Sequence, residues 1–177
     1  SNSKGEIRFE SPLFLLQHRR LCGNACFFLS LDFEICITRI DAAMNVLLIN
    51  GSPHSKGNTF IALSEVARTL ESEGIHTDIV SIGTRPIPGC IACGACAQSG
   101  ECAFGDDLYL LLREKLASAD GLIIGSPVYF AGPNGSLFAL LDRLFVSCVD
   151  RLAYKPAAAV VVCRRGGASA AFDRLNK

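Results

Sequence analysis

The chain is expected to fold as an α/β protein, a doubly wound parallel sheet covered by helices on both faces in three layers. Three observations predict this. Short apolar runs alternate with segments of helical period from residue 45 onward. The runs end in glycine or in small polar residues, the punctuation of strand-to-helix loops. The 177 residues, of which 50% are hydrophobic, suffice for one core and not for two ordinary domains.

"NVLLIN" (45–50) predicts a buried first strand. A helix is expected over 58–74, with apolar Ile61, Ala62, Val66 and Leu70 at helical spacing and Gly74 as its stop. "HTDIVSI" (76–82) predicts a second strand. A helix over 106–120 opens with Asp106 and Asp107, where the helix dipole favours negative charge, so this acidic pair reads as capping rather than catalysis. "GLIIGSPVYF" (121–130) predicts a third strand. A helix over 134–148 carries Leu137, Leu140, Leu141, Leu144 and Phe145 on one stripe. "AAAVVVC" (157–163) predicts a fourth strand, and 169–177 begins another helix.

Residues 1–43 follow no steady period. Met44, the only methionine, stands directly before the first strand, so a native start there, with residues 1–43 as an N-terminal extension, is one expectation; an extra helix packed on the domain is the other. Cys22, Cys26 and Cys36 lack a fourth ligand at metal spacing. Arg19 and Arg20 after the first apolar run, and Asp32 and Glu34 in the next, argue against a signal peptide.

Seventeen basic residues balance seventeen acidic ones, so net charge points to neither a nucleic-acid nor a membrane-surface partner. No apolar stretch reaches the length of about 18 residues that a spanning helix needs. Nine cysteines with no clean secretory signal suggest metal or redox roles in the cytoplasm rather than disulfides. His54, in the first loop, is either a ligand contact or an exposed loop residue; His18 and His76 read as structural. No Ser/His/Asp set supports hydrolysis.

The loop "GSPHSKGNT" (51–59) supplies glycines for close backbone approach, side-chain donors from Ser52, Ser55, Asn58 and Thr59, and the N-terminus of the next helix. These suit a monophosphate held by neutral donors. Neither a Walker A sequence nor Gly-x-Gly-x-x-Gly is present. The alternative is an ordinary strand-to-helix turn. "GSPVYFAGPNGS" (125–136) adds three glycines, two prolines and the flat rings of Tyr129 and Phe130. "CRRGG" (163–167) adds Arg164, Arg165, Gly166 and Gly167 at a third strand end. In such sheets ligands bind where these loops converge.

"GSPHSKGNT", "GSPVYFAGPNGSLFALLDR" and "CRRGGASAAFDRLN" resemble the three flavin-contacting loops of the NADPH-dependent FMN reductase family, a flavodoxin-like family. The most similar branch is the iron–sulfur flavoproteins and related multimeric flavodoxin-like proteins. The resemblance runs from Met44 to the C-terminus, about three quarters of the chain. It implies FMN, with its phosphate on Ser52, Ser55, Asn58 and Thr59. It implies that Pro127, Val128, Tyr129, Phe130, Ala131 and Gly132 border the flavin ring, with Arg164 to Gly167 on the other side. It implies electrons taken from NAD(P)H, an acceptor that is a small molecule or a protein, and a homodimer or homotetramer. Family domains continue to one more strand, so the sheet is expected to lack its last one.

Cys90, Cys93, Cys96 and Cys102 follow the spacing C-x2-C-x2-C-x5-C. Thiolates this close suit an iron–sulfur cluster or zinc, and the first three share the spacing of many 4Fe-4S sites. Zinc more often uses C-x2-C pairs set further apart. Free thiols or a disulfide remain the alternative, because relatives keep such a loop without a cluster. Cys148 and Cys163 read as packing residues. Three functional classes follow: an FMN-dependent oxidoreductase, a non-enzymatic FMN/4Fe-4S electron carrier, and a zinc- or thiol-based sensor without flavin.

Overall fold

The computed structural model describes residues 44–176; the expectations for residues 1–43 lie outside the described residues. Four parallel strands form the sheet: β1 (Asn45–Asn50), β2 (His76–Ser81), β3 (Gly121–Tyr129) and β5 (Ala157–Val162), in the spatial order β2-β1-β3-β5. β1 pairs with β3 from Val46↔Gly121 to Asn50↔Gly125, and β3 pairs with β5 from Leu122↔Ala157 to Pro127↔Val162. A two-residue strand, β4 (Gly132–Pro133), folds back antiparallel on the end of β3. The order reverses at β1, between β2 on one side and β3 on the other, and a doubly wound sheet opens its ligand crevice at such a point.

Strand alternation divides the core between the faces. Leu47 and Ile49 of β1 point to one side, into a cluster with Leu112 and Leu116 of α3 (Asp107–Ser118) and Leu137, Leu140 and Leu144 of α4 (Gly135–Ser147). Leu48 points to the other side and meets Leu63 and Ala67 of α1 (Asn58–Ser72). Two short helices, α2 (Ala95–Ser99) and α5 (Val149–Leu152), and a last helix, α6 (Ala168–Leu175), complete the order.

Each expected strand and helix is present within two residues of its predicted bounds. The first helix ends at Ser72 rather than residue 74. There Ile75 N–H donates to Leu70 O and Gly74 N–H donates to Glu71 O around a left-handed Gly74, φ 79°. This is the paired-bond stop that glycine permits at a helix C-terminus. β3 ends at Tyr129, because Phe130 and Ala131 form the two-residue turn to β4, both with positive φ.

Three packing expectations need correction. The buried residues of α1 are Thr59, Leu63 and Ala67, with Val66 packed partly buried beside them, while Ile61 is 61% exposed; Leu63 fits against β3 because position 125 is glycine, where a Cβ would stand 2.6 Å from Leu63 Cδ1. Phe145 of α4 is exposed, and Arg143 takes a buried position on that helix. Cys148 is buried as expected, but Cys163 is exposed, since it follows the last residue of β5 where the chain leaves the sheet.

Candidate functional site

The first loop leaves β1 under tight backbone constraint. Gly51 N–H donates to Gly125 O at 2.7 Å, and a Cβ on Gly51 would stand 2.7 Å from that oxygen and 2.5 Å from Leu137 Cδ2. Asn134, the N-cap of α4, is buried and donates through Nδ2 to Gly51 O at 2.7 Å. Ser126 Oγ accepts from Asn134 N–H at 3.0 Å. Asn50 completes the frame: its Oδ1 accepts from Ser52 N–H at 3.1 Å and its Nδ2 donates to Ser81 Oγ at 3.0 Å. The third loop closes against the second. A Cβ on Gly167 (φ 85°) would come within 2.8 Å of Ala131 Cα and 3.2 Å of Val128 Cγ1. The loops after β1, β3 and β5 thus form one continuous rim at the carboxyl end of the sheet.

At this rim Gly57 is the N-cap of α1, which has no side-chain cap and no acidic residue in its first turn. The free N–H groups and positive dipole end face the loop, the arrangement that favours a bound anion. Ser52 and Thr59 are buried beside it, while Ser55 and Asn58 are exposed. Ser52 Oγ accepts from His54 N–H at 3.1 Å, so part of its capacity shapes the loop itself. Pro53, His54, Ser55, Lys56 and Gly57 line an open depression of about 460 Å³. Lys56 brings there a charge that the neutral-donor reading of the sequence did not include.

Along the second loop Pro127, Val128 and Gly132 are half-buried, and Tyr129, Phe130 and Ala131 are exposed. The positive φ values of Phe130 and Ala131 (49° and 60°) are those of a type I′ hairpin turn, which side chains other than Asn and Gly enter at a cost. Arg164, Arg165 and Gly166 lie exposed on the third loop, ahead of half-buried Gly167.

The cysteines lie in a second place. Cys90, Cys93, Cys96 and Cys102 all line one cavity of about 250 Å³, with Arg143, Val146 and Ser147 of α4 on its wall. None of the four is in a disulfide. Among the described residues no three His, Cys, Asp or Glu side chains are grouped so that they could hold a metal ion. Left-handed Gly94 and Gly100 bracket the one-turn α2 inside this loop. Cys102 is the best anchored of the four. Its N–H donates to Tyr109 Oη at 3.1 Å, that hydroxyl is 2.7 Å from Ser147 Oγ, and Arg143 Nε–H donates to its sulfur at 3.4 Å. Asp106 caps α3 by accepting from Tyr109 N–H and also pairs with Arg143 at 2.5 Å, a structural role as expected, while Asp107 is an exposed residue of the first turn.

The buried position of Arg143 beside this cavity was not legible in the sequence. It is 1% exposed, with its guanidinium 4.8 Å from the Tyr109 ring centroid. Burial opposes its charge, but the hydrogen bond to Cys102, that to Asp106 and the attraction of both groups hold its pKa above the ordinary guanidinium value. The available signal was a cation within the apolar stripe, three residues after Leu140 and one before Leu144.

This fold and this rim define a flavodoxin-like protein. The chain belongs to the NADPH-dependent FMN reductase family, whose sequence model matches residues 44–176. It is 35% identical over 136 residues to an iron–sulfur flavoprotein of Methanocaldococcus jannaschii, covering 75% of this chain and 70% of that one. It is 38% identical over 100 residues to an iron–sulfur flavoprotein of Archaeoglobus fulgidus, covering 56% of this chain and 48% of that one. The chain therefore spans about half to about two thirds of such relatives. Among solved structures, the flavoenzyme NAD(P)H:(acceptor) oxidoreductase FerB from Paracoccus denitrificans superposes with a TM-score of 0.57 at 17% identity, over 75% of this chain and 69% of that one, a likeness of fold. No helix among the described residues is long and apolar enough to cross a membrane.

Proposed function

We propose that this protein is an FMN-dependent oxidoreductase that takes electrons from NAD(P)H and passes them to a quinone, a flavin or an iron–sulfur acceptor. The observation that carries the proposal is the stitched rim of three loops around an uncapped helix N-terminus. Ser52, Ser55, Asn58 and Thr59, with the first N–H groups of α1, would bind the phosphate. Backbone from Pro127 to Gly132 would border one side of the flavin ring and the segment Arg164–Gly167 the other. The two arginines would supply positive charge at the ring edge. When bound, FMN supplies the hydride-accepting chemistry, and the protein binds and orients it. Exposed Tyr129 and Phe130 leave an open approach for a dihydronicotinamide.

Cys90, Cys93, Cys96 and Cys102 would hold a 4Fe-4S cluster. One tetrahedral zinc needs four sulfurs about 2.3 Å from a single point, whereas a cluster binds each thiolate at a different iron. The C-x2-C-x2-C spacing of Cys90, Cys93 and Cys96 and the cavity that all four thiols share support the cluster over zinc. A cluster supplies one-electron exchange. Arg143 stands nine residues beyond Asn134, about 13 Å along α4, so the cavity and the rim share one rigid helix.

The second reading is an electron carrier serving a partner protein, favoured by the same four cysteines. A homodimer or homotetramer in the cytoplasm belongs to either reading. Mixing the anaerobic holoprotein with NADPH or NADH separates them. Rapid bleaching of the flavin absorbance supports the reductase. Bleaching only by a reduced ferredoxin refutes it in favour of the carrier, and failure to retain any flavin refutes both.

A further inference from the structure

The sequence directs attention to the four cysteines; the structure adds a single cation that reaches both ends of their loop. Arg143 Nη1–H donates to Pro88 O at 3.4 Å, two residues before Cys90. Its Nη2 donates to Phe104 O, two residues after Cys102, and its Nε donates to Cys102 Sγ at 3.4 Å. The guanidinium lies against the faces of Phe104 and Tyr109, 5.7 and 4.8 Å from their centroids, and is shielded from water. One rigid fork therefore closes a loop of exposed and half-buried residues against α4. Its carboxylate partner among the described residues, Asp106, also faces the N-terminus of α3, so the negative charge opposing Arg143 is shared.

We propose that Arg143 is the positioning residue and counter-charge of the cysteine cavity. It fixes Cys102 in place, and its N–H to sulfur bond with its buried charge raises the reduction potential of the metal cluster held there. The inference rests on the cluster reading given above. Four thiolates bring a concentration of negative charge, and one more electron is harder to add to it. A desolvated cation touching one of the ligating sulfurs offsets that cost; hydrogen bonds to ligand sulfurs and burial are established levers on cluster potential. Arginine suits both tasks, because five donors in a fixed plane can serve two carbonyls, a sulfur and a carboxylate at once, whereas a lysine ammonium cannot span them.

The test uses full-length protein reconstituted anaerobically with iron and sulfide, for the parent, Arg143→Gln and Arg143→Lys. Iron and sulfide content, the one-electron midpoint potential by spin resonance, and the rate of iron release to a chelator are measured. Arg143→Gln keeps a donor and loses the charge; its potential should fall by at least a tenfold change in the redox equilibrium, 59 mV for one electron. Arg143→Lys keeps the charge and loses the fork; its potential should remain within threefold of the parent in the redox equilibrium, while iron release quickens by roughly tenfold or more. A parent that binds no iron and sulfide refutes the cluster reading, and this inference with it. A loaded parent with parent-like potential in Arg143→Gln and parent-like release in Arg143→Lys refutes this inference alone. If Arg143→Gln does not fold, the release rate of Arg143→Lys decides: a parent-like rate overturns the proposal.

Discussion

Replacing Gly51 by alanine tests the claim that the first loop is held by backbone contact. The added methyl would stand 2.7 Å from Gly125 O and 2.5 Å from Leu137 Cδ2. Leu137 is fully buried and has no room to turn aside. The carbonyl cannot retreat without breaking the 2.7 Å bond it accepts from Gly51 N–H. Overpacking a tight site costs about 1–3 kcal/mol, and a lost backbone bond about 1 kcal/mol more. The expected loss is about 2–4 kcal/mol, which for a domain of this size lowers the melting temperature by roughly 8–16 °C. Thermal unfolding followed by circular dichroism, without added flavin, measures it. Gly135→Ala is the control: nothing lies within 4 Å of its Cβ, and it sits in the first turn of α4, so no loss is expected. A Gly51→Ala protein melting within about 2 °C of the parent refutes the reasoning, since the loop would then have slack that these distances exclude.

Thr59→Ala, or Ser52→Ala with Asn58→Ala, should weaken FMN binding roughly tenfold to a hundredfold, at about 1.5–3 kcal/mol per hydrogen bond to a charged phosphate; fluorescence titration of the apoprotein checks this, and unchanged affinity in both variants puts the phosphate elsewhere. The flavin released on denaturing the holoprotein should chromatograph as FMN, because the rim offers one phosphate cradle and no pyrophosphate fingerprint; a majority of FAD refutes this. Ala131→Gly should stabilise the domain by about 1 kcal/mol by relieving a left-handed alanine (φ 60°) in the β3–β4 turn; denaturant unfolding that shows no gain would place the strain elsewhere. Cys93→Ser should lose most of the iron that the parent retains after anaerobic preparation, as expected of a ligand, and full retention would exclude Cys93 from the set.

The sequence by itself determined what is local. A run such as "NVLLIN" can only be buried on both faces, so the strand order of events along the chain, the helices between them and the three loops were all legible. Asp106 as a cap was legible too, because a cap and its N–H are three residues apart. The cysteine spacing was legible, but not that all four thiols ring one cavity. The tertiary structure decided that Leu63 rather than the equally apolar Ile61 of α1 is buried, Leu63 lying where Gly125 presents no side chain. It alone decided the fate of Arg143. That side chain meets Asp106 at 37 residues' separation, Cys102 at 41 and Pro88 at 55. A buried charge is tolerated only when every partner is in place, and partners that distant meet only after the sheet and α4 have been assembled.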